Sequence, residues 1–219
     1  MTIRLAIFDC DGTLVDSQHS IVSAMQGAFD AGGLTCPERA QILSIVGLSL
    51  PQAMAHLLPE ADTAFHDLMV GHYKSSFFKL REAGAVQEPL YHGIADLLDA
   101  LDAQGWLLAV ATGKSDRGLA AVLAHHCLSK RFISLQTADR HPSKPHPSMI
   151  EAALYDAGAF AEDAVMIGDT SFDMLMANAA GVPALGVGWG YHKPDELFAA
   201  GARSVATTSA DLAAHIGLR

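Results

Sequence analysis

The chain has 219 residues, of which 50% are hydrophobic and 17% are charged, a composition typical of a folded globular protein and not of a disordered one. Its formal charge of −10 at pH 7 argues against nucleic acid or an anionic membrane surface as the main partner. The three cysteines show no CxxC spacing, and Met1 leads straight into a strand pattern, which predicts a reduced, cytoplasmic protein without a signal peptide or a membrane span.

Short apolar runs alternate with helical patterns through most of the chain. Strands are predicted, in chain order, at residues 3–9, 106–112, 132–137, 164–169, 183–189 and 204–208. This alternation indicates right-handed crossovers and a parallel sheet that is covered by helices on both faces. The predicted fold class is therefore α/β, a doubly wound parallel sheet with a Rossmann-like core.

Residues 16–86 interrupt the alternation. They contain helical patterns and no convincing strand, which predicts a small all-helical domain inserted after the first strand. Residues 1–15 and 87–219 would then form the α/β core. The second boundary is marked by the stretch EAGAVQEPLYHG, which is rich in Gly, Pro and small residues.

Several of the predicted strands are followed by polar side chains. Because ligands of open α/β sheets bind outside the carboxyl ends of the strands, we expect these side chains to converge at one edge of the sheet. They are Asp9 and Asp11 after the first strand, Thr112, Gly113 and Lys114 after the second, Lys144 after the third and Asp169 after the fourth.

The acidic members of this set predict a metal ion. Three carboxylates in one pocket raise each other's pKa values unless a cation lies among them. Asp9, Asp11 and Asp169 offer oxygen ligands without His or Cys, which favours a hard ion, and Mg²⁺ is the ordinary choice beside phosphate. Asp173 follows four residues after Asp169 and would project from the first helical turn in support of the metal.

The remaining members predict a site for a phosphoryl group. Thr112 and the N–H groups after it would lie where a strand turns into a helix, a natural place for the oxygens of an anion. Lys144 would bind a phosphate oxygen and balance the carboxylates, whereas Lys114 is expected to be a surface charge. Asp9 could act as the nucleophile and form an aspartyl-phosphate, and Asp11 as the general acid and base.

The stretches DCDGTLVDS, ATGKS, SKPHP and GDTSFDMLMANAAGVPALGVGWG resemble, in order and spacing, the four motifs of the haloacid dehalogenase superfamily. Within it the chain is most similar to the phosphoglycolate phosphatase group, in which a helical cap follows the first motif. The resemblance implies that Thr112 and Gly113 bind phosphate and that Lys144 orients it. The implied Mg²⁺ ligands are Asp9, the main-chain carbonyl of Asp11 and Asp169, with Asp173 in support.

The predicted function is therefore Mg²⁺-dependent hydrolysis of a small phosphorylated metabolite, a phosphoglycolate-like phosphomonoester, through an aspartyl-phosphate. A sugar-phosphate mutase of the same superfamily and a pyrophosphatase stay open as alternatives. A non-catalytic phosphate-binding scaffold is disfavoured because every motif acid is intact. The enzyme would be a monomer or a homodimer, with no nucleic acid and no membrane among its partners.

Substrate specificity is expected to lie in the helical cap. The loop of residues 45–52 is the best candidate for reaching the substrate, with Ser49 and Gln52 as its polar members and Arg39 as the nearest cation. Gly113 stands where these phosphatases often have Asn, so a side-chain contact to phosphate would be missing.

Overall fold

Within residues 3–218, which the computed structural model describes, six parallel strands form one sheet in the order β3-β2-β1-β4-β5-β6. Each strand lies inside its predicted range, and the prediction of a doubly wound α/β fold is confirmed. The strands are β1 Arg4–Phe8, β2 Trp106–Thr112, β3 Ser134–Thr137, β4 Ala164–Gly168, β5 Ala184–Val187 and β6 Ser204–Ala206.

Helices fill the connections between these strands, and no helix of the described part of the chain is long and apolar enough to cross a membrane. Five helices separate β1 from β2, and a short 3₁₀ turn, Ala161–Asp163, precedes β4. The helices are α1 Gln18–Ala31, α2 Arg39–Leu43, α3 Leu50–Leu57, α4 Thr63–Glu82, α5 Ile94–Ala103, α6 Asp116–His125, α7 Ser148–Ala157, α8 Ser171–Ala179, α9 Pro194–Ala199 and α10 Ser209–Ile216.

After Arg4, the central strand β1 is apolar because both of its faces are covered. Ala6 and Phe8 contribute to the core on one face of the sheet, and Leu5 and Ile7 to the core on the other. Successive side chains of a strand point to opposite faces, so a strand that is buried on both sides needs a continuous apolar run. The run ends at Asp9, which places the first carboxylate directly at the carboxyl edge of the sheet.

The helices α1 to α4 pack around an apolar cluster of their own, which includes Met25, Phe29, Met54 and Met69. Helices α1 and α4 lie especially close together, since a Cβ atom at Gly27 would be 2.2 Å from the Oγ of Ser76.

The two connections between these helices and the sheet run side by side. The Asp16 N–H donates to the carbonyl of Pro89 at 2.8 Å, and the Gln87 N–H donates to the Oγ of Ser20 at 2.8 Å. The first connection starts at Asp9, and residues of α1 and α4 line one cavity with Asp9, so these helices lie over the carboxyl edge where the polar residues gather.

Candidate active site

Three carboxylates from two separate parts of the chain meet at the carboxyl edge of the sheet. Asp9 follows β1, whereas Asp169 follows β4 and Asp173 lies in the first turn of α8. One carboxylate oxygen of each lies within 4.8 Å of the others, and each residue is no more than 1% exposed. Such a group of buried like charges requires positive compensation.

Lys144 supplies part of this compensation from the loop after β3. Its Nζ lies 3.0 Å from Oδ1 of Asp9 and 2.6 Å from Oδ1 of Asp173, with 0% of the lysine side chain exposed. Burial alone would lower the pKa of Lys144, but Asp173 and Asp9 outweigh burial and raise it. The ammonium therefore stays charged and is shared between two carboxylates.

The carboxylates differ in how far their oxygens are already hydrogen-bonded. Asp169 accepts from the Thr13 hydroxyl at 2.8 Å and from the Tyr191 N–H at 2.9 Å, one donor to each oxygen. Asp173 accepts from the N–H and hydroxyl of Thr170, in a capping box that begins α8 and fixes the carboxylate in place. Both acids are therefore held rigidly.

Asp9 alone among the three keeps an oxygen without a partner. Its Oδ1 accepts from the Cys10 N–H at 2.7 Å and faces Lys144, whereas its Oδ2 is buried and makes no hydrogen bond. Buried carboxylate oxygens in folded proteins are almost always paired. An unpaired oxygen at this position is available to a ligand or a reacting atom.

Three carboxylates share one ammonium in this cluster, and burial disfavours their charged forms. Burial raises the pKa of Asp9 from 3.8 to about 7; Lys144 opposes the rise, and Asp173 and Asp11 add to it. Burial, with Asp173 and Asp9, also raises the pKa of Asp169 well above its usual range. A further cation would relieve this repulsion.

Two glycines let the main chain pass directly against Asp169. A Cβ at Gly12 would lie 2.1 Å from Oδ2 of Asp169, and a Cβ at Gly190 would lie 2.2 Å from the Asp169 Cβ. Gly12 also has a φ of +82°, which disfavours any residue with a side chain. The loops after β1 and β5 therefore enclose the carboxylate between two stretches of backbone.

The side chain of Asp11 lies outside the group of three carboxylates formed by Asp9, Asp169 and Asp173. Its Oδ1 lies 3.0 Å from the Nζ of Lys114 and accepts a hydrogen bond from the hydroxyl of Ser17, which itself contacts the Tyr191 hydroxyl at 3.1 Å. The lysine and the serine draw the carboxylate away from Asp9, because an ion pair is more favourable than a fourth negative charge.

Lys114 is placed differently from the expectation of a surface charge. Its side chain is only 10% exposed and pairs with Glu88, at 2.7 Å, as well as with Asp11. Burial would lower the pKa of Lys114, but the two carboxylates raise it. Glu88 lies in the boundary stretch of the helical segment, far from any motif, so the sequence held no signal for this pair.

Thr112 and Gly113 lie at the turn between β2 and α6, beside Asp9 and Asp11 on the wall of one cavity. Thr112 is 1% exposed, and its Oγ1 accepts from the Lys114 N–H at 3.3 Å. Ser115 caps α6 by accepting from the Gly118 N–H. The turn therefore presents a hydroxyl and a helix N-terminus to the cavity, a combination suited to anion oxygens.

Comparison with known proteins identifies a family to which a chain with these acids, lysine and threonine belongs. The sequence profile of the haloacid dehalogenase-like hydrolases matches residues 6–187. The chain belongs to this hydrolase family. It is 38% identical to the probable phosphatase IndB of Dickeya dadantii, over 98% of this chain and 95% of that protein.

Two further comparisons agree with this assignment. The hydrolase is 33% identical to a phosphoglycolate phosphatase of Agrobacterium fabrum, over 85% of this chain and 81% of that one. It superimposes with a TM-score of 0.88 on the crystal structure of a predicted phosphatase from Clostridium acetobutylicum, at 25% identity and 99% coverage of both chains. The predictions of a phosphatase and of the phosphoglycolate phosphatase-like group are confirmed.

The cavity of this hydrolase has a volume of about 450 Å³ and extends from Asp9 and Thr112 to helices α1 and α4. The 44–49 loop joins α2 to α3, and its residues 45–49 form part of the cavity wall. Of the predicted specificity residues, only Ser49 lines this cavity. Gln52 is exposed, and Arg39 is exposed and donates to Gln18 instead, so neither reaches the cavity wall.

Close contact with the 44–49 loop explains why position 113 of the hydrolase is a glycine. A Cβ at Gly113 would lie 2.6 Å from the carbonyl oxygen of Leu48 and 2.7 Å from that of Gly47. The Ser49 N–H donates to the Oγ of Ser143 at 2.8 Å, which holds the loop in this place. An Asn side chain at position 113 would occupy the space that the 44–49 loop takes.

The residues that sequence reasoning missed come mainly from α4. Tyr73, Phe77 and Arg81 line the cavity at intervals of four residues, which places them on one face of the helix. This spacing was visible in the sequence, but an apolar face of a helix ordinarily indicates packing against a core. Only the position of α4 over the sheet edge shows that this face borders the active site.

The loop that carries Lys144 is anchored by His141. One ring nitrogen lies 2.7 Å from the Oγ of Ser148 and the other 2.7 Å from Oε1 of Gln136. Since the amide oxygen of Gln136 only accepts, the partners assign the proton to Nε2, with Nδ1 accepting from the serine. A neutral ring with the proton on Nε2 satisfies both partners, and a doubly protonated ring would reverse the serine bond and make the Ser148 hydroxyl the acceptor.

Acidification should loosen this loop, because burial disfavours a charged ring at position 141. Burial, with the charges of Arg140 and His146, lowers the pKa of His141 below 6.5, and Asp156 opposes the shift. The stabilising effect of a lowered histidine pKa is complete above pH 6.5 and is lost as the pH falls toward the folded-state pKa. Between pH 8 and pH 5.5, the melting temperature of the wild type should fall further than that of His141→Gln; equal falls would contradict this role.

Proposed function

We propose that this phosphatase hydrolyses a small phosphorylated metabolite through an aspartyl-phosphate on Asp9, with Mg²⁺ as cofactor. The observation that carries the proposal is the Oδ2 of Asp9, which is buried, lacks a hydrogen-bond partner and belongs to a residue that lines the cavity. Asp9 is otherwise fixed by Lys144 and by the Cys10 N–H, so its free oxygen has a defined direction of attack.

The residues present fit a magnesium ion. The cluster contains only oxygen donors, which suits a hard dication. Burial, with repulsion between the acids, raises the pKa values of Asp9 and Asp169, so a bound dication would stabilise their ionised forms. Asp9 and Asp169, with the main-chain carbonyl of Asp11, would hold the ion, and Asp173 would support it. Bound Mg²⁺ supplies electrostatic neutralisation of the phosphoryl oxygens as the carboxylate approaches them.

The chain's own groups can then carry the two half-reactions. In the first, Oδ2 of Asp9 forms a bond to phosphorus, the bond from phosphorus to the leaving oxygen breaks, and Asp11 donates a proton to that oxygen. In the second, a water molecule attacks the phosphorus, Asp11 accepts a proton from the water, and Asp9 is released. Thr112, the N–H groups after it and Lys144 would hold the remaining phosphoryl oxygens.

Residues 16–86 would act as a cap over this chemistry, with residues 1–15 and 87–219 as the catalytic core. The separate apolar cluster of α1 to α4 and the close seating of the 44–49 loop on Gly113 support this division. A cap in this position excludes bulk water from the reacting groups. Cytoplasmic location and a monomeric or homodimeric state stay predictions.

The proposed function is tested by phosphate release from a panel of phosphomonoesters, each as the sole substrate, with and without Mg²⁺. We expect release that a chelator reduces to background and that added Mg²⁺ restores. Release of free phosphate from one monoester distinguishes a hydrolase from a mutase, which would move the phosphoryl group to a second hydroxyl. A panel that includes p-nitrophenyl phosphate and yields no Mg²⁺-dependent release would refute the proposal.

A further inference from the structure

The cavity beside Asp9 is larger than a small polar leaving group requires. Its volume of about 450 Å³ lies in the range of roughly 300–1,000 Å³ in which proteins enclose drug-sized ligands. A glycolate leaving group has only a few atoms and would leave most of this space to water. The size of the cavity therefore points to a bulkier leaving group.

The cavity walls are mostly apolar away from the carboxylates. Residues from α1, the 44–49 loop and the start of α3 contribute aliphatic side chains. These are Ile21, Met25, Ile45, Val46, Leu48 and Leu50. Apolar walls lose little on contact with an apolar ligand and offer no partners to a hydroxyl or a carboxylate.

Helix α4 adds an aromatic wall. The rings of Tyr73 and Phe77 are four residues apart, with centroids 6.0 Å apart and planes inclined by 37°, and both line the cavity. Phe78, also in the lining, is 48% exposed. Aromatic side chains pack favourably against other flat rings in offset and tilted arrangements.

The inner cations of the cavity are already paired. Arg81 and Lys114 lie 5.6 Å and 5.9 Å from the centre of the Phe77 ring. Glu88 pairs with both, at 3.6 Å and 2.7 Å, and Asp11 also pairs with Lys114. Their charge is balanced within the protein. Lys74 and Arg117 also line the cavity, but both are exposed, so a carboxylate on the leaving group would meet only solvated cations there.

We propose that the leaving group of the substrate carries a flat apolar ring, which lies against Tyr73 and Phe77 while the phosphoryl group lies at Asp9 and Thr112. This inference rests on the proposed function, because that function fixes the end of the cavity at which the phosphoryl group binds. It replaces the expected phosphoglycolate-like ester by an ester of an alcohol that bears a ring.

Binding of two phosphonates tests the inference without turnover. Benzylphosphonate and ethylphosphonate share the phosphoryl-like head group, contain no hydrolysable ester and differ in the ring. By titration calorimetry on the full chain with Mg²⁺, benzylphosphonate should bind about tenfold more tightly or better, since a single methylene in an apolar pocket already gives about 10-fold or more. Equal affinities would overturn the inference.

Two phenylalanine variants test whether the preference for benzylphosphonate over ethylphosphonate arises at the aromatic wall of α4. Phe77→Leu keeps an apolar side chain but removes the aromatic ring, and the ratio of the two affinities should fall by about 2–10-fold, the usual value of an aromatic pair. Phe160→Leu is the matched control, because Phe160 is 73% exposed and does not line the cavity. An unchanged ratio in Phe77→Leu, with wild-type thermal stability, would contradict the assigned wall.

Turnover separates a failure of this inference from a failure of the proposed function. Benzyl phosphate and ethyl phosphate both release alkoxide-type leaving groups, so a difference in kcat/KM reports recognition of the ring more than intrinsic reactivity. Mg²⁺-dependent hydrolysis of both at equal kcat/KM would overturn the inference and leave the phosphatase intact. A binding preference without hydrolysis of either ester would support the cavity assignment and overturn the proposed chemistry.

Discussion

Replacement of Asp9 by Asn should reduce kcat for phosphate release by about 10³- to 10⁶-fold, the range expected when a nucleophile is removed. The amide nitrogen and oxygen of Asn are too weakly nucleophilic to attack phosphorus, and the substitution hardly changes the size of the side chain. Steady-state assays at saturating Mg²⁺ measure the loss. Asp67→Asn, at an exposed position of α4, is the control and should keep wild-type turnover.

The same substitution should raise the thermal stability of the metal-free protein. The pKa of Asp9 is raised from 3.8 to about 7, so its ionised form is unfavourable in the folded chain above that pH. A neutral amide at this place removes one of the mutually repelling charges. Lower activity together with higher stability would be the usual trade-off at a functional site. Full turnover in Asp9→Asn would contradict the nucleophile assignment.

Replacement of Lys144 by Met should destabilise the fold strongly. The ammonium is fully buried and pairs with Asp9 and Asp173, and its removal leaves two buried carboxylates without their cation. Breaking such a pair costs about 3–5 kcal/mol, which for a chain of this length lowers the melting temperature by roughly 6–20 °C. Thermal unfolding in the presence of a chelator measures the effect.

A control variant and a double variant show whether the loss of stability comes from the contact between Lys144 and its carboxylates. Lys130→Met changes an exposed lysine and should shift the melting temperature by no more than about 2 °C. Asp9→Asn combined with Lys144→Met should recover part of the loss, because residues in direct contact are not additive. A Lys144→Met protein with wild-type stability would show that the ammonium does not hold the two carboxylates.

The features that local sequence determines were predictable. The apolar run that ends at Asp9 marks β1, because a strand covered on both faces needs apolar residues at every position. The pattern from Thr170 to Asp173 is a capping box, so the start of α8 and the direction of Asp173 follow from a few consecutive residues. The parallel direction of the strands follows from the alternation of strands and helices along the chain.

The features that arise from contact between distant segments were not predictable. Lys114 and Glu88 form their pair only because the boundary stretch crosses the turn after β2, and nothing in either segment indicates the other. From the sequence, Gly113 indicated only the loss of a side-chain contact to phosphate. In the structure, the backbone of the 44–49 loop occupies the space that a side chain would need. The aromatic face of α4 has the spacing of an ordinary core helix, so Tyr73 and Phe77 carried no signal of a substrate wall.

The position of β1 in the middle of the sheet also affects the nascent chain during synthesis, because β1 is made long before one of its two neighbouring strands. This strand, at the very start of the sequence, pairs with β2 on one side and with β4 on the other, and Phe8 is registered with Ile167, about 160 residues later. A ribosome that adds about 5–20 residues per second needs roughly 10–30 s to deliver that second neighbour. Throughout this interval the nascent chain exposes at least one edge of an apolar strand, and unpaired edges of this kind recruit other chains.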